Sequence, residues 1–252
     1  MARTLRFSFL IFTSALMSFG CASSTKPHPE KILNVMTDPS SQPSESVAPF
    51  EDVIKSYEAQ DRMYSSAPGG IVFVGSSSIG RWESLQKDFE GLNVLNRGFG
   101  GSAMIDSVRY ADRLVMPHQP QVVVVYAGEN DIAGFGTKAE ELLRHFQTFV
   151  EIVHRQLPDT RILYISIKRS PSRDFCLDEV TKANDLIREY ISTDDRLGFI
   201  DVFHPMLDAQ GNVRHELFIE DGVHLSPAGY DVWTKVIRPE VEAALMKIRA
   251  TK

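Results

Sequence analysis

The stretch IVFVGSSSIGRW, residues 71–82, runs four apolar residues into a glycine and then three serines. A short, continuous apolar run rich in β-branched and aromatic side chains reads as a strand covered on both faces. The glycine and serines read as a sharp turn out of it. Taken alone, the serines are a polar turn. Whether one of them is more than that depends on what the same pattern does along the rest of the chain.

The pattern recurs. Further strand candidates are NVLN (93–96), VVVVYA (122–127), RILYISI (161–167) and LGFIDV (197–202). Helical stripes lie before and between them. Phe50, Val53, Ile54 and Tyr57 make one, and Leu142, Leu143, Phe146, Phe149, Val150 and Val153 a second. Val180, Ala183, Ile187, Tyr190 and Ile191 make a third. A last helix is predicted from SPAGY (226–230), with Ser226 as cap, Pro227 at the first helical position and Trp233, Ile237 and Val241 on its buried face. Strands alternating with helices predict an α/β fold: a three-layer α/β/α sandwich around a mainly parallel five-stranded sheet. Such sheets place ligands outside the carboxyl ends of their strands.

The chain has 252 residues, 43% of them hydrophobic and 24% charged, enough for one sizeable core. Its formal net charge is −6 without a long charge run, which gives no basis for a nucleic-acid partner. Arg3 and Arg6 precede the apolar FSFLIFTSALM (7–17), a pattern that reads as a signal peptide over residues 1–20. Cys21 follows Gly20 in SFGCAS, which resembles a bacterial lipobox, although Ser18 stands where that pattern usually has Leu. Two outcomes follow: an exported protein anchored by lipid at Cys21, or cleavage a few residues later and release into the periplasm. Residues 21–49, rich in serine and proline, read as a tether, and residues 50–252 as the folded domain. Cys176 is the only other cysteine, so with Cys21 acylated or removed no intramolecular disulfide forms.

The strand ends carry the chemistry. GSSS follows the first, NRGFGGS (96–102) the second and GEND (128–131) the third, and EDGVHLS (220–226) precedes the last helix. Each alone has a plain structural reading as a turn or cap. Together, at one edge of one sheet, they supply a serine, a glycine, an asparagine and an Asp-x-x-His pair. In this combination and order the sequence resembles the SGNH hydrolases, or GDSL-type esterases, over roughly residues 71–237. Two positions depart from that family: Ser76 and Ser102 stand where its members usually have Asp.

The resemblance implies the flavodoxin-like SGNH hydrolase fold and a serine esterase acting through an acyl-enzyme. Ser77 would be the nucleophile, His224 its base and Asp221 the group that orients the base. The oxyanion hole would be the N–H groups of Ser77 and Gly101 and the side-chain amide of Asn130. Glycine suits position 101 because the backbone must approach the substrate closely, and a neutral amide suits 130 because a carboxylate would repel the developing charge. Asp131 reads as a structural cap, and Glu129 has no assigned role. Arg169 and Arg173, in KRSPSRDF (168–175), border the site as a possible substrate loop for an anionic group. His204, in DVFHPML (201–207), could line the cleft, whereas His118, His145 and His154 read as ordinary surface or helix positions.

No histidine, cysteine or aspartate grouping has metal-ligand spacing, so neither metal nor cofactor is expected. GFGGSA (98–103) fits a dinucleotide fingerprint, but the end of the next strand, about thirty residues on, carries GEND rather than a lone ribose-binding acid. The substrate class is an acyl ester of a small molecule, a glycan or a lipid, with short acyl groups favoured. The rivals are an O-acyltransferase acting on an envelope glycan and a non-catalytic glycan-binding module on the same fold.

Overall fold

The computed structural model describes residues 48–63 and 68–250. The expected signal peptide, Cys21 and the tether up to residue 47 lie outside the described residues. Five parallel strands form one sheet: β1 (Ile71–Gly75), β2 (Val94–Gly98), β3 (Val122–Tyr126), β4 (Arg161–Ile165) and β5 (Leu197–Ile200), in the order β2-β1-β3-β4-β5. The sheet is wholly parallel, a stricter arrangement than the mainly parallel one expected.

Period-two alternation explains both covered faces. Val72, Val74, Val123, Val125, Ile162 and Tyr164 point into one core. They pack there under α1 (Glu51–Met63), α4 (Met104–Arg109), α5 (Ala111–Leu114), α6 (Glu129–Phe135), α7 (Ala139–Gln156) and α8 (Leu177–Ile191). Ile71, Phe73, Val122, Val124, Tyr126, Leu163 and Ile165 point into the other, beneath α2 (Ser77–Gly80), α3 (Leu85–Asp88) and α9 (Pro227–Ala250). Each fully buried Val or Phe of these strands contributes about 1.5–3 kcal/mol relative to an exposed one. The second core holds an aromatic cluster: Trp82 packs edge-on against Phe73, Phe89 and Trp233 and stacks on Tyr230 with ring centres 5.2 Å apart.

Three strand ends lie two residues from the sequence reading, each for a local reason: β2 is longer, and β4 and β5, which stops at Ile200 instead of 202, are shorter. β2 runs on to Gly98 because its register with β1 continues until Gly98 lies beside Gly75. β4 stops at Ile165 instead of 167. The Ser166 hydroxyl accepts the N–H groups of Val202 and Phe203, and the Asn184 side chain takes both the N–H and the C=O of Ile167. Side chains therefore satisfy the backbone that a longer ladder would have used.

The register places the site. Gly75 lies beside Gly98 on one side and Tyr126 on the other, so the loops after β1, β2 and β3 start at one height. Strand order reverses between β1 and β3, which opens a crevice at the carboxyl edge there.

Candidate active site

Gly75 ends β1 with φ +137°, and a Cβ on it would lie 1.9 Å from the Tyr126 carbonyl oxygen, so only glycine fits. The chain turns sharply there, with the Ser76 N–H donating to that carbonyl at 3.0 Å, and enters α2 at Ser77. Ser76 and Ser78 are buried, and Ser77 is the one serine of the three that is partly open. Its hydroxyl donates to His224 Nε2 at 2.8 Å.

The His224 turn is built by its own aspartate. Asp221 Oδ1 accepts the N–H groups of Val223 and His224 at 2.8 and 2.9 Å, and Oδ2 accepts from His224 Nδ1 at 2.6 Å. Partial burial alone would raise the carboxyl's pKa, but the imidazole and the two N–H donors bring it down to about 2. An ionised carboxylate is acceptor-only, so Nδ1 carries the proton and Nε2 is left to accept from Ser77. Because the folded value is depressed, this group's contribution to stability is present above the ordinary aspartate range and is lost as pH falls through about 2.

Across the crevice, the turn after β2 approaches the same serine at Gly100, and Asn130 bonds to that turn. A Cβ on Gly100 would sit 3.9 Å from Ser77 Cβ, and Gly101 adopts φ +80°. Asn130 Nδ2 donates to Ser102 O at 2.9 Å. Among the described residues, the N–H groups of Ser77 and Gly101 have no acceptor. Asp131, expected as a cap, accepts the N–H of Met104 at the start of α4 at 2.8 Å and that of Gly128 at 3.0 Å, tying the loop after β2 to the loop after β3. Burial raises its pKa, against these hydrogen bonds.

Comparison with known proteins now decides the family. The model of the GDSL-like lipase/acylhydrolase family matches residues 67–232. The chain belongs to that family. With the family comes its class: the protein is a carboxylic ester hydrolase. Among solved structures, a Streptococcus pneumonia protein is 23% identical, with 75% of this chain and 91% of that one covered and a TM-score of 0.67. A GDSL-like lipase from Bacteroides thetaiotaomicron is 21% identical, covering 76% and 98%, with a TM-score of 0.64. A family 3 carbohydrate esterase from Clostridium thermocellum is 14% identical, covering 69% and 98%, with a TM-score of 0.53. At these identities the likeness is one of fold. No curated protein matches the chain.

The two departures from the GDSL-family pattern have different surroundings. The buried Ser76 makes no side-chain hydrogen bond at the start of α2. Ser102 is fully buried, and its hydroxyl donates to Phe99 O at 2.8 Å and approaches Gly75 O at 3.3 Å. An aspartate at 102 would set a carboxylate against two carbonyls with no proton to offer them. Ser102→Asp should therefore lower unfolding stability by at least about 2 kcal/mol in thermal or denaturant melts. An unchanged midpoint would contradict this.

The sequence left Glu129 unassigned and missed its partners. Glu129 is buried and paired with the ammonium of the fully buried Lys168. It also accepts from Tyr126 OH at 2.8 Å and Ser170 Oγ at 2.5 Å. Burial works to raise its pKa, but the charge and hydrogen bond of Lys168, the Ser170 hydroxyl and the Arg173 charge win and lower it, so the carboxylate is ionised. The available signal was an acid in a buried strand-end loop, which requires a cation, and KRS directly after the fourth apolar run.

Arg169 and Arg173 part company. Arg169 grips Asp174 with two bonds of 2.7 and 2.6 Å and donates to Gly211 O at 3.1 Å. Arg173 donates to Asn130 Oδ1 at 3.0 Å and lies 3.7 Å from Glu129. Ser172, between them, donates to Asp221 O at 2.7 Å.

His204 repeats the geometry of His224: Asp201 accepts the N–H groups of Phe203 and His204 and sits 2.6 Å from His204 Nδ1. That ring is exposed, and among the described residues no hydroxyl bonds its Nε2. His118 is buried at the end of a short 3-10 helix, Met116–His118, 3.4 Å from Asp61.

Proposed function

We propose that the protein is a serine esterase that removes a short acyl group through an acyl-enzyme on Ser77. The observation that carries this reading is the chain of contacts from Asp221 through His224 to the Ser77 hydroxyl, at 2.6 and 2.8 Å. In the reaction, Ser77 Oγ attacks the ester carbonyl while His224 Nε2 takes its proton, and the resulting imidazolium is stabilised by Asp221. The N–H groups of Ser77 and Gly101 and Asn130 Nδ2 receive the oxyanion. His224 then protonates the departing alkoxide, and water, activated by the same imidazole, releases the acid.

The test is a panel of p-nitrophenyl esters of increasing chain length across pH. Acetate to butyrate should be cleaved fastest. Asp221, at about 2, stays ionised throughout and keeps the imidazole oriented as acceptor, and activity should rise with pH because the reaction needs a free base. A flat profile from pH 5 to 8 would contradict His224 as base. A preference for long chains would shift the substrate to lipid. Ile105, Phe135, Phe175 and Ile219, exposed in or beside the segments that carry Gly101, Asn130, Arg173 and Asp221, offer apolar contact for that case.

Transfer of the acyl group to a glycan hydroxyl shares the first half-reaction, and product analysis with a sugar acceptor separates the two. Neighbours described as carbohydrate esterases motivate glycan esters as the first natural substrates to try. Export to the periplasm, with Cys21 as the lipid anchor to the outer membrane, is proposed from the leader pattern alone.

A further inference from the structure

We infer that Arg173 is a positioning residue for the oxyanion donor Asn130, holding and polarising its amide through Oδ1. The inference rests on the reading of Asn130 as part of the oxyanion hole. An asparagine side chain can present either edge, and only its nitrogen can donate to an oxyanion. Two neighbours select the edge here. Ser102 O, an acceptor, meets Nδ2 at 2.9 Å, and the Arg173 guanidinium, a donor with no acceptor capacity, meets Oδ1 at 3.0 Å. Rotating the amide by half a turn would set oxygen against oxygen on one side and N–H against N–H on the other. The second Nδ2 hydrogen is then left for the substrate.

The guanidinium does more than orient. A guanidinium cation on Oδ1 draws electron density from the amide nitrogen. Hydrogen bonds coupled through one group strengthen each other, so Nδ2 becomes a better donor as negative charge builds in the transition state. This benefit falls on kcat rather than on ground-state binding.

Arg173 is held for the task. Its N–H donates to Ser170 O at 2.9 Å, and Ser170 is anchored on the buried Glu129–Lys168 pair. The adjacent Ser172 braces the base turn, with its N–H on Gly222 O at 3.2 Å and its hydroxyl on Asp221 O at 2.7 Å. One short loop after β4 thus touches both the base side and the oxyanion side of the candidate site. Arg173 is the member that reaches Asn130.

The test is a double-mutant cycle with p-nitrophenyl acetate, a neutral ester that gives an anion-binding arginine nothing to recognise. Asn130→Ala alone should lower kcat about 10²–10³-fold. Full activity in that variant would overturn the underlying reading of the site, whatever Arg173 does. Arg173→Met should lower kcat about 10–100-fold with KM within about threefold, and Arg173→Lys should recover part of the loss. In the Asn130→Ala background, Arg173→Met should change kcat less than about threefold, because its effect runs through the missing amide. The same factor in both backgrounds, a change in KM alone, or an unaltered kcat would overturn the inference. If Arg173→Met fails to fold, Arg173→Gln, which keeps a donor without the charge, runs the same cycle with the same opposing outcomes.

Discussion

Ser77→Ala lowers kcat for a short acyl ester by at least about 10⁴-fold, while Ser76→Ala and Ser78→Ala stay within about threefold of the parent; this is the largest effect the site predicts. Only Ser77 presents its hydroxyl to the imidazole, at 2.8 Å. The Ser76 side chain makes no bond at the helix start, and Ser78 uses its backbone oxygen, not its hydroxyl, to accept from Tyr230 OH at 3.0 Å. All three variants should melt close to the parent, because none of these hydroxyls is a structural hydrogen bond. Steady-state kinetics on the three, with melting curves beside them, check the assignment. Comparable activity in Ser77→Ala would move the nucleophile elsewhere.

Lys168→Met should unfold the domain at markedly lower temperature. The substitution leaves Glu129 buried among Tyr126, Ser170 and the more distant Arg173, without the ammonium that compensates it. Removing one partner of a buried pair costs about 3–5 kcal/mol, which in a domain of this size corresponds to a midpoint about 10 °C lower. Glu129→Gln added to Lys168→Met should recover much of the loss, since a neutral amide needs no cation and still accepts the Tyr126 hydroxyl. The sign with pH is also fixed. The lowered pKa of Glu129 means that its ionised form supports the fold above the ordinary glutamate range and loses that support as pH falls through the folded value. In Lys168→Met the carboxyl can take a proton instead, so the gap between variant and parent should narrow toward acid pH. Equal midpoints at neutral pH would contradict the pairing.

The layers were legible because period and length declare them. VVVVY in β3 is buried along its whole length, as a continuous apolar run between two helix layers must be, and the α7 stripe has its core side where the spacing put it. The resemblance singled out Ser77, two residues after Gly75; the tight approach of that glycine to Tyr126 O fixes where the turn begins, and Ser77 is the serine that meets His224.

The Asp-x-x-His motif was legible only in part. Asp201–His204 and Asp221–His224 fold into the same local turn, yet only the second meets a serine. That difference lies in the crossing of segments 147 residues apart, which no local pattern encodes. The Lys168–Glu129 and Arg173–Asn130 contacts were missed for the same reason, since they join loops 39 and 43 residues apart. A short run of charges after a strand reads as solvated until the fold supplies its partner.

The most direct measurement of the central claim is covalent labelling with a fluorophosphonate, located by intact mass and peptide fragmentation. An activated serine attacks the phosphorus, fluoride leaves, and the adduct stays on the attacking oxygen. The account predicts one adduct per chain, on Ser77 rather than Ser76 or Ser78, forming faster as pH rises, and none in Ser77→Ala. An adduct on another residue, or undiminished labelling of Ser77→Ala, would contradict it.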